Sequence, residues 1–372
     1  MRLIIDGDYP MAHGAFYLDR DLTAPIEEVR LGKNSKRRGF SSGWDDSETL
    51  ASIPELRKGK IAAALVKVSV CIYRPELHSH GECRNRDIAY SIAQGELEYY
   101  RILEATGWSK ILTTSRDINS HIKLWDEEKD TSELPFGMIL GMEGADAIHW
   151  PKQVNDWWDK GLRVISLSHY GVSSYSHGTA TGTEGGLVGD ALELLKEMDN
   201  LGMILDVSHT SDRAVWEELD NFDGPILSSH HNCRSLAPGE RQIPDGLLRE
   251  IISRGAVIGS SMDTWMLHPK GVDWNNIPDR REVFSRKEIT LEHFVDHLDY
   301  VCQIAGNSLH AAIGGDTDGQ GGRAGAPYEI DTVADYQKVG DILENRGYKE
   351  SDIENILYLN WKRFFEKNLP KS

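Results

Sequence analysis

The chain reads as an α/β protein, a (β/α)8 barrel with loop insertions after its first two strands. Three observations point there. Eight short apolar runs are spaced along the sequence, helical patterns separate most of them, and six of the runs end on or just before an acid or an imidazole. In such barrels, chemistry sits in the loops that follow the strands, so the fold and the residue types point to one end of one molecule.

Taken in order, Leu3-Ile4-Ile5 ends at Asp6-Gly7-Asp8, and the β-rich run 61–70 leads into Tyr73-Arg74-Pro75. Phe136 to Leu140 ends at Glu143, and Val164 to Leu167 ends at Ser168-His169. Met203-Ile204-Leu205 leads to His209, and Pro225-Ile226-Leu227 leads to His230 and His231. Ala256-Val257-Ile258 ends at Gly259-Ser260-Ser261, and Ala311-Ala312-Ile313 ends at Gly314-Gly315-Asp316. Between the two histidine runs, Ala214, Val215, Trp216 and Leu219 recur at helical spacing, which makes residues 203–232 a β-α-β unit. Adjacent parallel strands lie about 5 Å apart, so two such imidazoles can share one cation, although two buried hydrogen-bonded histidines fit the same pattern.

Helices are expected over 190–201, 243–252, 290–304, 331–346 and 350–366, with Trp361, Phe364 and Phe365 packing the last against the barrel. The whole chain, 1–372, is expected to form one domain, with C-terminal helices over about 331–368. Residues 17–58 and 75–100 stand out as insertions, and the second carries His78 and His80, read as part of a polar lid.

Composition narrows the function. A net charge of −18 disfavours nucleic acid and anionic membranes as partners. The one basic cluster, Lys33 to Arg38, reads as a solvated loop. Four scattered cysteines show no CxxC spacing, which argues against a disulfide framework or thiolate zinc site and fits a reducing compartment. No run reaches the roughly 20 apolar residues of a membrane span, and the N-terminal run is too short for a signal peptide. A cytoplasmic location is the expectation. Trp157, Trp158 and Trp265, read as exposed aromatics, suit a homodimer.

The run-end groups are the carboxylates Asp8, Glu143 and Asp316 and the imidazoles His169, His209 and His230. Oxygen and nitrogen donors without a thiolate suit Zn²⁺, Mn²⁺ or Fe²⁺. Such ions lower the pKa of water enough to make it a nucleophile near neutral pH, and a carboxylate such as Asp316 could accept its proton. Asp206 and Ser208 are candidates to orient the imidazoles, and Asp206 reads equally well as a helix cap.

Six segments in order, GMEGADAI (141–148), GLRVISLSHYG (161–171), GMILDVSHTSD (202–212), PILSSHHNCRSL (225–236), ERQIPD (240–245) and IGGDTDG (313–319), resemble the renal or membrane dipeptidase family. That resemblance implies a (β/α)8 barrel with a binuclear zinc site that hydrolyses dipeptides. It implies Glu143 as a bridging ligand, His209 and His230 as ligands of one ion, and Asp316 as acid/base and ligand of the other. It implies His169 as the group that polarises the scissile carbonyl and Arg241 as the binder of the substrate carboxylate.

The chain departs from the family's first-strand pattern, Asp-x-His-x-Asp, in reading Asp6-Gly7-Asp8-Tyr9-Pro10. Aspartate replaces the histidine, and proline, which offers no donor, replaces the second aspartate. The expectation is therefore one or two divalent ions per chain, Zn²⁺ foremost, with a weaker site at Asp8, Glu143 and Asp316. A dipeptide-like small molecule is the expected substrate. Two alternatives are a catalytically impaired binding protein and a hydrolase of another substrate class, such as an N-acyl amino acid, a cyclic amide or a lactone.

Overall fold

The structure is a computed structural model that describes residues 1–31, 48–74, 83–180, 185–273, 283–319 and 322–372. His78, His80 and the basic cluster lie outside the described residues.

Among the described residues there are nine parallel strands: β1 (Ile4–Tyr9), β2 (Ile61–Val68), β3 (Ser109–Ile111), β4 (Phe136–Glu143), β5 (Val164–Ser166), β6 (Ile204–Asp206), β7 (Ile226–Leu227), β8 (Ile258–Ser260) and β9 (Ala311–Ile313). Eight of them answer the eight apolar runs. They pair in the order β1-β2-β4-β5-β6-β7, with β8 on β9. A parallel bridge from Ser228 to Ile258 carries the ring from β7 to β8, and the Asp316 N–H donates to the Asp8 carbonyl at 3.0 Å to close β9 on β1. The ninth, β3, was not expected. It pairs with the first half of β4, below the point where β5 pairs with the second half.

The strands carry two apolar surfaces. Ile5, Ala63, Leu65, Ile139, Ile204, Leu227 and Ala312 pack with Trp361 and Phe365 in one cluster, while Ile4, Ala64, Val66 and Leu205 belong to the larger cluster under the helices. Trp361 closes the barrel floor, where its indole N–H donates to the Ile313 carbonyl at 2.8 Å. Gly7 is required there, because a Cβ would lie 2.5 Å from the Trp361 ring.

The β1–β2 register shifts between Asp6 and Tyr9: Asp6 pairs with Ala64 and Tyr9 with Val66, leaving one extra residue on β1. Without that bulge Asp8 would share the outward face of Asp6. With it, Asp8 turns inward beside Lys67, the residue after Val66.

The helices over 191–201, 212–221, 245–253 and 291–305 match expectation within a residue or two. Trp216 does not: it is exposed, and Glu218 is buried on that helix with Ala214 and Val215. Residues 86–100 of the expected second insertion lie in one helix, Arg86–Ala105, capped by Asn85, so that part belongs to the helical layer. Trp157 and Trp265 are buried, which removes them as an argument for a homodimer. All four cysteines are buried, and none forms a disulfide with another. No helix among the described residues is long and apolar enough to cross a membrane.

Candidate metal centre

His209 and His230 arrive as the repeat in sequence predicts. Asp206, the last residue of β6, accepts the Ser208 and Ser229 N–H groups on one oxygen, both at 3.0 Å, and so ties the two histidine loops together. The Ser208 hydroxyl accepts the His230 N–H at 3.1 Å. Asp206 is thus an orienting group and not a helix cap; Ser211 caps the following helix. His209 and Asp316 hold the left-handed backbone conformation, φ 64° and 51°, that side chains rarely adopt, and such strain is often found at functional sites.

The His209 and His230 Nε2 atoms are 2.9 Å apart, and each faces Glu143 Oε1, at 3.6 and 3.5 Å. A point equidistant from these three atoms lies about 2 Å from each, which is the length of a zinc–nitrogen or zinc–oxygen bond. The donor set therefore fits a divalent cation. Burial and the neighbouring Arg241 and Lys67 charges hold both imidazoles well below the usual histidine range, which favours their neutral forms. His230 Nδ1 is held by the Ser229 hydroxyl at 2.7 Å and Asp8 at 2.9 Å, which directs Nε2 toward Glu143.

His169 stands at the mouth of this group, its Nε2 3.8 Å from Glu143 Oε2 and its ring 4.3 Å from that of His209. Burial lowers its pKa to about 4. Arg241 is fully buried; its Nη2 donates to His209 Nε2 at 3.0 Å and to the His230 carbonyl at 3.3 Å. Among the described residues its Nε and Nη1 have no hydrogen-bond partner, and the guanidinium lies beside the Tyr170 hydroxyl. Asp316 belongs to neither of the two ligand groups, Glu143-His169-His209 and Asp8-Glu143-His230, found among the described residues. Burial and the charges of Asp8 and Glu143 push its carboxyl well above the usual range. His13 packs its ring on Tyr17 at 4.9 Å and is in neither group.

Sequence reasoning missed Lys67, which occupies the middle of the site. Its ammonium lies 2.5 Å from Asp8, 2.9 Å from the Ser229 hydroxyl, 3.0 Å from Glu143 and 3.1 Å from Asp206, and its side chain is 1% exposed. Burial disfavours its charge, but Asp8, Glu143 and Asp206 outweigh that and raise it well above the usual lysine range. Burial likewise opposes ionisation of Asp206 and Glu143, and Lys67 reverses it, holding both below the usual carboxylate range. At Asp8, burial wins over Lys67 and the carboxyl is raised. The signal was a lysine inside an apolar, strand-length run, since a fully buried lysine is almost always paired.

The sequence profile of the membrane dipeptidase family, peptidase family M19, matches residues 34–370. An uncharacterized protein in the pqqA 5′ region of Klebsiella pneumoniae is 30% identical over 245 residues, covering 64% of this chain and 84% of its own length. Dipeptidase verJ of Clonostachys rogersoniana is 28% identical over 231 residues, covering 61% of this chain; the match spans about half of verJ, 54%. Among solved structures, a dipeptidase of metallopeptidase family M19 superposes with a TM-score of 0.76 at 19% identity, covering 100% of this chain and 99% of its own. A Rhodobacter sphaeroides metallopeptidase, liganded with a phosphinate mimic of the dipeptide L-Ala-D-Ala, superposes at 0.75 and 18%, covering 99% of both chains. These superpositions agree with the barrel fold.

Proposed function

Because the chain belongs to the membrane dipeptidase family, peptidase family M19, we propose that it hydrolyses a dipeptide or similar small amide with a free α-carboxylate. The reading requires a divalent cation, Zn²⁺ foremost, on Glu143, His209 and His230. Such an ion supplies Lewis acidity, which makes water a nucleophile near neutral pH and polarises a carbonyl.

The chain's own groups have distinct tasks in this reading. Arg241 receives the substrate carboxylate on the N–H donors left free at Nε and Nη1, in a buried setting where a guanidinium discriminates strongly. His169, neutral above about pH 4, donates a hydrogen bond to the scissile carbonyl oxygen. Asp316, with its raised pKa, takes a proton from the attacking water and returns it to the leaving amine.

The observation that carries this reading is Arg241: a fully buried cation, set against the His209 and His230 pair, whose Nε and Nη1 have no hydrogen-bond partner among the described residues. The Rhodobacter relative binds an L-Ala-D-Ala mimic, so the first assay compares L-Ala-D-Ala with its C-terminal amide, using zinc-loaded protein. Hydrolysis of the free acid and at least about tenfold less of the amide is expected from losing one charged pair. Failure of a dipeptide panel to react at all would overturn the reading. An N-acyl amino acid carries the same carboxylate and is the natural second substrate to test.

A further inference from the structure

We propose that the Lys67 ammonium permanently fills the cation position beside Asp8, so that this centre takes one divalent ion where the family resemblance implies two. The inference rests on the metal-hydrolase reading above and specifies its stoichiometry.

A divalent ion shared by Asp8 and Glu143 would sit about 2.0–2.2 Å from an oxygen of each. Lys67 Nζ already stands 2.5 Å from Asp8 Oδ2 and 3.0 Å from Glu143 Oε1. An ion there would collide with the ammonium and carry the same sign of charge. The two are mutually exclusive.

The barrel is built to keep the ammonium in place. The side chain follows Leu65 on the inner face of β2, opposite Gly141 on β4. A Cβ at position 141 would lie 3.0 Å from Leu65 and 3.4 Å from the Lys67 stem, so the glycine leaves a slot for that stem. At the far end, four oxygens lie within 3.1 Å of the nitrogen. Asp206 is fixed by two backbone N–H groups on its other oxygen, so it holds the ammonium from a rigid position.

The same arrangement explains the altered first strand. An aspartate at position 8 offers an ammonium a charged partner, which a histidine would not. Proline at position 10 loses a metal ligand that is no longer needed. Glu143 still bridges two cations, but one of them is Lys67.

The test is a metal count by elemental analysis and calorimetric titration of chelator-treated, folded protein with Zn²⁺ and with Co²⁺. Wild type should bind one ion per chain, and Lys67→Met should bind two. Two ions in wild type, or one in folded Lys67→Met, would overturn the inference. If Lys67→Met does not fold, the wild-type count decides alone. A wild-type count of two with dipeptide hydrolysis sinks this inference and spares the hydrolase reading. A count of one with no hydrolysis does the reverse, and a count of zero removes both.

Discussion

Replacing Lys67 with methionine keeps most of the stem volume and deletes the charge that Asp8, Glu143 and Asp206 share. At about 3 Å and an effective dielectric of about 20, each such pair is worth roughly 5 kcal/mol before desolvation. Burial of the ammonium offsets much of this, and breaking a buried pair costs about 3–5 kcal/mol net. Each kcal/mol lowers Tm by about 2 °C or less in a domain of this size, so the variant should melt roughly 5–8 °C below wild type. The assay is calorimetry of both chelator-treated proteins at pH 7. The penalty should shrink on acidification. In wild type, Glu143 and Asp206 have depressed pKa values, so the stability they contribute is present above the usual carboxylate range and is lost as pH falls through their lower folded values. In the variant the crowded carboxylates instead gain protons readily, so acid favours its folded state. Divalent ion should restore about 3 kcal/mol when present at about 100 times its Kd. A variant that melts within about 1 °C of wild type, at pH 7 and without metal, would refute the reasoning.

His209→Ala removes one of three ligands and should abolish both bound zinc and turnover; normal activity in that variant would sink the metal assignment. Arg241→Lys loses the planar fork and should raise KM for a dipeptide about 10–100-fold, with kcat changed far less, in a steady-state assay. Asp316→Asn should lower kcat about 10²–10⁴-fold while leaving the metal count unchanged, because Asp316 lies outside both ligand groups. His169 has a folded pKa near 4 against 6.5 unfolded, so its neutral form contributes stability above pH 6.5 that is lost as pH falls toward 4. Chelator-treated His169→Gln should therefore lose less stability than wild type across that window, by at most about 3 kcal/mol.

The barrel was legible because its strands end where apolar residues give way to acids and histidines, and because the β-α-β unit at 203–232 repeats that ending. Glu143 ends β4 while His209 and His230 follow β6 and β7, so the three converge at one end of the barrel. The length of a run did not reveal β3: Ser109–Ile111 has one apolar residue, and its place beside β4 is a tertiary fact. Trp216 was misread because helical spacing alone does not say which side of an amphipathic helix faces the sheet. Lys67 escaped notice for a different reason. Its partners come from β1, β4 and β6, so the apolar run around it signals a buried charge without showing which groups compensate it. The bulge that turns Asp8 inward is equally invisible, since it depends on the pairing of Asp6 and Tyr9 with β2.

The most direct test of the account is zinc content and L-Ala-D-Ala turnover measured on one preparation during chelation and stepwise zinc return. Turnover should vanish with the metal and be fully restored at one zinc per chain. Turnover that persists at zero metal, that needs two zinc ions, or that never appears in fully loaded protein would contradict it.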